Sequence, residues 1–320
     1  TDGHLLLEPQ RTNYVDYSND ASQWTDVVSN GTVTKTANYA VSPDGTQNAT
    51  RLEASVSGSG FALILLATTT SFEGDYVSTV YVKSNTGSNQ DIVFYGRNTD
   101  VEVHIVTGEW TRIQFKGSSS SGLSNYAYVG ISTGKSEEDN PIDILVWGGQ
   151  LEQGTYPTSY IPTNGLTGTR DADTCTGAGS SADFNSEEGV LYAEFRTLSQ
   201  LGTFRQINLY QDISNRIYIS KRAENDNLEF RMDNPSGNLS FSFPTNTTND
   251  FVKVAFRYGT NNFAVFIDGI NKNVNSTGTT FTSNTLDKLD FTSAISQDFY
   301  AEVKAIKVYK EALGDTDLEN

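Results

Sequence analysis

Short runs of β-branched and aromatic residues, each closed off by Gly, Asn, Asp or Pro, recur at short intervals along the chain, and this constrains its fold more than any other feature. In the first half they occupy residues 31–37, 50–56, 61–68, 75–83, 91–95, 101–106, 110–116, 125–131 and 142–147. Pro43-Asp44-Gly45 and Asn85-Thr86-Gly87 are turn signals of the kind that separates antiparallel strands. About nine strands so spaced predict a β-sandwich of jelly-roll type. An apolar fraction of only 36%, with 11% aromatic residues, suits sheets with one solvated face. The serine-rich stretch Gly117–Gly122 reads as a loop tip.

The second half repeats the pattern. Val190, Tyr192 and Phe195 predict a strand with one buried face and a local irregularity. Strands follow at 207–210, 216–220 and 228–232. In the last of these Leu228, Phe230 and Met232 point one way, and Glu229, Arg231 and Asp233 point the other, toward water. Residues 251–258 and 262–267 are joined by Gly259-Thr260-Asn261, and Asp268-Gly269 turns the chain again, predicting three sequential antiparallel strands. Phe299, Ala301, Val303 and Ala305 alternate, but Ile306 and Val308 continue in the opposite parity, the mark of a β-bulge near 305. Thr316 and Glu319 are spaced as a capping box, so a helical turn is expected to start where the sequence stops, as in a chain truncated there.

Between the halves, Trp147–Cys175 passes from an apolar strand through glycines and prolines into a polar run without period. The reading is all-β, with two β-sandwich (jelly-roll) domains in tandem: residues 1–163, a linker over 164–183, and 184–320. Pro157 and Pro162 bias this junction toward extended backbone, which predicts a stiff connection and a fairly fixed orientation of the two modules.

A formal charge of −17, from 22 basic and 39 acidic residues, repels phosphate backbones and anionic headgroups, so no nucleic-acid partner is expected. No run approaches the roughly 20 apolar residues that cross a bilayer, and no membrane insertion is expected. Cys175 is the sole cysteine, so no intrachain disulfide forms. The sequence opens at Thr1 without a charged-then-apolar leader, as expected of a processed product or a segment of something longer.

Two stretches carry resemblances. Leu5-Leu-Leu-Glu-Pro-Gln-Arg-Thr-Asn13 with Tyr17-Ser18 and Trp24, then Trp147-Gly-Gly-Gln-Leu-Glu152 and Thr158-Ser-Tyr-Ile-Pro-Thr163, resemble the first and last segments of a carbohydrate-binding-module-like sandwich common in tailed-bacteriophage virion proteins. Residues 251–270 and 305–315 look like a concanavalin A-like or laminin G-like sandwich. The resemblance implies a non-enzymatic virion appendage (tail fibre, tail tip or capsid-surface part), exposed on the particle or extracellularly. It also implies contact with host surface polysaccharide and other virion proteins, and assembly as a homo-oligomer, commonly a trimer. It brings no catalytic residues. The rival readings are a secreted polysaccharide-degrading enzyme or its binding accessory region, and a spacer in a bacterial surface protein.

The residues themselves favour binding over catalysis. With only His4 and His104, a His-based triad or zinc site lacks partners, and neither a G-x-S-x-G elbow nor a phosphate-cradling loop is present. His104 shares the parity of Glu102, predicting a solvent-facing side chain. The acid clusters at 137–139, 171–173 and 187–188 lack the alternating carboxylates of a glycosidase strand. Arg216, Tyr218, Glu229 and Arg231 would supply planar hydrogen-bonding groups and an aromatic platform for a sugar if their strands are neighbours. Trp110 and Trp147 read as core. No organic cofactor is implied; calcium is the ion that Asp171, Asp173 and Asp183, as hard oxygen ligands, would hold.

Overall fold

The structure, a computed structural model, describes residues 3–319 apart from 67–70, 97–100, 121–124, 135–139, 199–204, 223–224, 226, 249 and 293–297. Strand β1 (Leu5–Leu6) is followed by β2 (Arg11–Asn13), β3 (Thr25–Ala40), β4 (Ala49–Leu65), β5 (Gly74–Ser84), β6 (Gln90–Gly96), β7 (Glu102–Val106), β8 (Thr111–Ser119), β9 (Ala127–Ser132), β10 (Ile142–Gln153) and β11 (Gly168–Arg170). Then come β12 (Glu188–Thr197), β13 (Arg205–Asp212), β14 (Asn215–Lys221), β15 (Asn227–Asp233), β16 (Leu239–Pro244), β17 (Val252–Gly259), β18 (Phe263–Ile267), β19 (Ile270–Asn275), β20 (Lys288–Asp290), β21 (Ala301–Tyr309) and a short helix α1 (Asp315–Leu318). The chain is all-β and forms two sandwiches.

The two compact units are residues 10–171, and residues 1–9 together with 172–320. This corrects the boundaries read from sequence. Leu5 and Leu6 pair with Val303 and Glu302 on β21, and Leu7 enters the second unit's core with 5% exposure. Pairing satisfies the edge of β21, which would otherwise present bare N–H and C=O groups. Residues 164–183 are not a linker either. β11 pairs with β2 inside the first unit. Beyond it, Asp173 and Glu8 exchange hydrogen bonds, and the Cys175 carbonyl accepts from Phe291 N–H, inside the second unit.

In the first unit β4 belongs to both layers. Residues 50–54 pair with β10 and residues 61–65 with β9, giving the path β7-β6-β9-β4-β10-β5-β8, with β3 alongside β4. The two strands read from sequence at 50–56 and 61–68 are therefore one. Gly58, at φ +76, and Gly60, whose Cβ would fall 2.1 Å from the Ser29 carbonyl, let the strand bend there without turning back. Leu52, Ile64, Phe94, Phe115, Val129 and Ile144 fill the core between the layers. The loop tip expected at 117–122 is partly strand, since β8 runs to Ser119, and residues 121–122 lie outside the described residues.

Asp143 on β10 shows how this unit responds to acid. Arg51 donates to both its oxygens at 2.8 and 2.7 Å, and Asn85 adds bonds at 3.0 Å. The guanidinium above all, with the Asn85 amide, holds the Asp143 carboxyl below the usual carboxylate range. A depressed folded-state pKa contributes stability above the unfolded value of about 3.9, and that contribution is lost as pH falls through the folded value. Urea titrations from about pH 5 downward should show Asp143→Asn flattening the acid-side loss relative to wild type.

The second unit packs sheet β1-β21-β12-β17-β18-β19 on sheet β16-β15-β14-β13-β20. Between them lie Phe195, Phe230, Phe256, Phe263 and Phe299, all fully buried, with edge-to-face contacts such as Phe195–Phe299 at 4.9 Å. The predicted hairpins are present. Ile267 faces Ile270 across Asp268 (φ 51) and Gly269 (φ 72), the left-handed pair of a tight hairpin turn. The bulge is present too: Glu194 pairs with Ala305 and Phe195 with Val303, leaving Lys304 as the extra residue. The capping box is not formed. α1 is capped by Gly314 without a side-chain bond, two residues earlier than the Thr316 reading required.

Candidate functional site

The four residues proposed for sugar binding are brought together. β14 and β15 are antiparallel neighbours, with Tyr218 opposite Arg231, Arg216 opposite Asp233 and Ser220 opposite Glu229. Their face is not the open wet surface expected. Glu229 is 4% and Asp233 6% exposed, because long arginines fold over them. Arg216 Nε donates to Asp233 Oδ2 at 2.7 Å and Arg231 Nε to Asp233 Oδ1 at 2.6 Å. Glu229 accepts from Arg222 at 2.8 Å and from Ser240 at 2.9 Å. Tyr218 is 4% exposed under the Arg216 guanidinium, 4.5 Å from its ring centroid, so it offers no stacking platform. Burial pushes its phenol up to about 12.

Glu229 and Asp233 stand four residues apart on one strand, about 13 Å. That exceeds the roughly 5 to 9.5 Å of a glycosidase pair, and each carboxylate is already committed to arginine.

The calcium set is not assembled. Asp173 accepts from the Glu8 N–H and Asp183 from the Ser180 hydroxyl, both at 2.8 Å, while Asp171 belongs to the other unit. Among the described residues no three Asp, Glu, His or Cys side chains gather to hold a metal. Asp173 and Asp183 satisfy nearby N–H and O–H donors instead. The acids at 137–139 lie outside the described residues.

His104 is also corrected. It lies on the core-side parity with Val106, half-buried, its ring 6.2 Å from Phe94, and desolvation lowers its pKa. The alternate residues Val103 and Ile105 are the exposed ones, at 46% and 62%. Trp147 is buried as predicted, but it lies outside the main core cluster and packs on Tyr160 at 4.5 Å. Trp110 is only half-buried and donates to the Val41 carbonyl at 3.2 Å.

The exposure of Val103 and Ile105 leads to a surface that sequence reading missed. Facing away from the core on the layer β7-β6-β9-β4-β3, the row Val27–Leu63–Gly130–Val93–Val103 runs in register across five strands, its middle members Leu63, Gly130 and Val93 buried and Val103 exposed at its end. In the next row Tyr95 on β6 is paired with Tyr128 on β9, their rings 5.4 Å apart, and Tyr126 lies 4.9 Å from Tyr128. All three tyrosines are part-exposed. Burial first, then the neighbouring phenols, raise the Tyr95 pKa, so it stays a neutral hydroxyl at ordinary pH. The available signal was parity: Tyr126 and Tyr128 share one face of a strand, and Tyr95 alternates with the buried Phe94.

The residues of the paired terminal motifs form a buried knot. Asn13 donates to the Gly149 and Ile161 carbonyls and accepts from Val15 and Leu151 N–H groups. Gln150 Oε1 accepts from Ile161 N–H at 2.7 Å, and Glu152 accepts from the Thr158 N–H and hydroxyl. These residues tie the entry of the first sandwich to its exit, an architectural role.

No protein-family model matches this sequence, and no curated protein matches it. Among solved structures, a CBM40 module of Ruminococcus gnavus IT-sialidase bound to α2,3-sialyllactose aligns at 12% identity over 46% of this chain and 95% of that one, with a TM-score of 0.37. Mouse laminin α1 domains LG4-5 align at 10% identity over 77% and 88%, TM-score 0.30. The CBM22 tandem of Paenibacillus barcinonensis Xyn10C aligns at 10% over 97% and 99%, TM-score 0.29. Superpositions this loose carry no ligand or activity from one protein to another.

Proposed function

We propose that this chain is a non-enzymatic, glycan-contacting part of a virion appendage, with the first sandwich holding a surface polysaccharide on its tyrosine row. The observation that carries the reading is the set Tyr95, Tyr126 and Tyr128, part-exposed rings packed side by side on a sheet face next to exposed Val103 and Ile105. Sugar rings present an apolar C–H face and hydroxyl edges, and a tyrosine offers a flat apolar body with a polar tip to match. The likeness of residues 5–13, with Tyr17, Ser18 and Trp24, and of residues 147–152 and 158–163 to tailed-phage modules supports a place on a particle surface, beside other virion proteins and as a homotrimer.

The test is a glycan array probed with the full chain and with Tyr95→Ala/Tyr128→Ala. Loss of two aromatic anchors should weaken binding about 30-fold or more, with circular dichroism unchanged. No glycan binding by wild type, or equal binding by the double variant, would sink the proposal. Light scattering that returned a monomer would remove the trimer.

A further inference from the structure

The second unit carries a cluster that the tyrosine row does not use. Arg216 and Arg231 both spend their Nε–H on the one carboxylate of Asp233. Among the described residues, no protein acceptor meets the Nη groups of either side chain. Glu229 next to them is already paired with Arg222. Among the described residues, two guanidiniums thus share one carboxylate, a local charge of +1 on a chain whose formal total is −17.

Asp233 is 8% exposed in its side chain and fixes both planes, with Arg216 braced further against the Tyr218 ring. Arg231 is 33% exposed, so its outer edge reaches solvent. The two forks open into a shallow cleft bordered by Ser214, Asn238, Pro235 and the exposed Ile213. Guanidiniums held by Nε with free Nη edges are set to take an oxyanion in two parallel bonds.

We infer that this fork binds the oxyanion of an acidic saccharide, a carboxylate or a sulfate ester, with the sugar lying against Ile213 and Pro235. The saccharide part rests on the glycan-contacting reading above; the anion part rests on the arginines alone. Asp233 is a positioning residue, since it acts through the arginines.

The experiment is calorimetric titration of the full chain with a galacturonate hexamer, its methyl ester, and a sulfated neutral hexamer. Wild type should bind a charged hexamer at least ten-fold tighter than the ester and lose most of that preference in high salt. Whichever charged probe binds names the oxyanion. Arg231→Gln should abolish the preference, and Arg231→Lys, which keeps the charge but not the fork, should restore only part of it. Arg231 is part-exposed, so folding of both variants is checked by circular dichroism. Tyr95→Ala/Tyr128→Ala should leave the preference intact. Equal binding of ester and charged hexamers by wild type, or an unchanged preference in Arg231→Gln, would overturn the inference. A preference lost only in the tyrosine variant would overturn it while supporting the tyrosine row.

Discussion

Replacing Asn13 by Ala should lower the melting transition of residues 10–171 by about 8–16 °C, the largest effect of any single polar substitution in that unit. Asn13 is fully buried, and its amide makes four hydrogen bonds, two given and two received. Truncation strands the N–H groups of Val15 and Leu151 and the carbonyls of Gly149 and Ile161, all on buried residues. Each lost partner costs about 1 kcal/mol or more, so a total near 4 kcal/mol is expected. At this domain size each kcal/mol moves the midpoint by about 2–4 °C. The neighbouring Thr12 meets Thr169 at an exposed position, and Thr12→Ala should change stability by no more than about 0.5 kcal/mol. Calorimetry on the two variants decides it; equal midpoints would show that the knot is incidental.

Gly130→Val should be nearly as damaging, and it should abolish glycan contact at the tyrosine row. Gly130 sits in mid-sheet at φ +148, where a Cβ would lie 2.3 Å from the Ala62 carbonyl and 3.0 Å from the Leu63 Cα. A side chain there adds backbone strain of about 1–3 kcal/mol and overpacking of similar size. Since Gly130 bridges Leu63 and Val93 in register, pushing it away also moves Tyr128 relative to Tyr95. Denaturant unfolding should show a lower midpoint, corresponding to a loss of about 2–6 kcal/mol in unfolding free energy, and array binding should fall with it. A variant as stable as wild type would contradict the register described above.

Local features were the ones legible in the sequence. Asp268-Gly269 and the parity slip at Lys304 follow from neighbouring residues, and both stand as read. Which sheet a segment joins was not legible. Leu5–Pro9 has strand character, but nothing in it says that its partner lies some three hundred residues away at Val303. His104 was misplaced because β7 is an edge strand whose apolar residues face outward, inverting the usual parity rule. The adjacency of Arg216, Tyr218, Glu229 and Arg231 could be expected from two consecutive strands. Their burial could not, because it depends on how long side chains fold over a sheet.

The chain enters residues 10–171 just after Glu8 and leaves them just before Asp173, and those two residues are bonded to each other by Glu8 N–H to Asp173 Oδ2 at 2.8 Å and Asp173 N–H to the Glu8 carbonyl at 2.9 Å. The first sandwich is thus a guest spliced into a surface loop of its host. Excising it and closing the gap with a few glycines should yield a shorter protein that still folds, whereas a fragment starting at Ala172 would lack its first strand and expose a sticky edge.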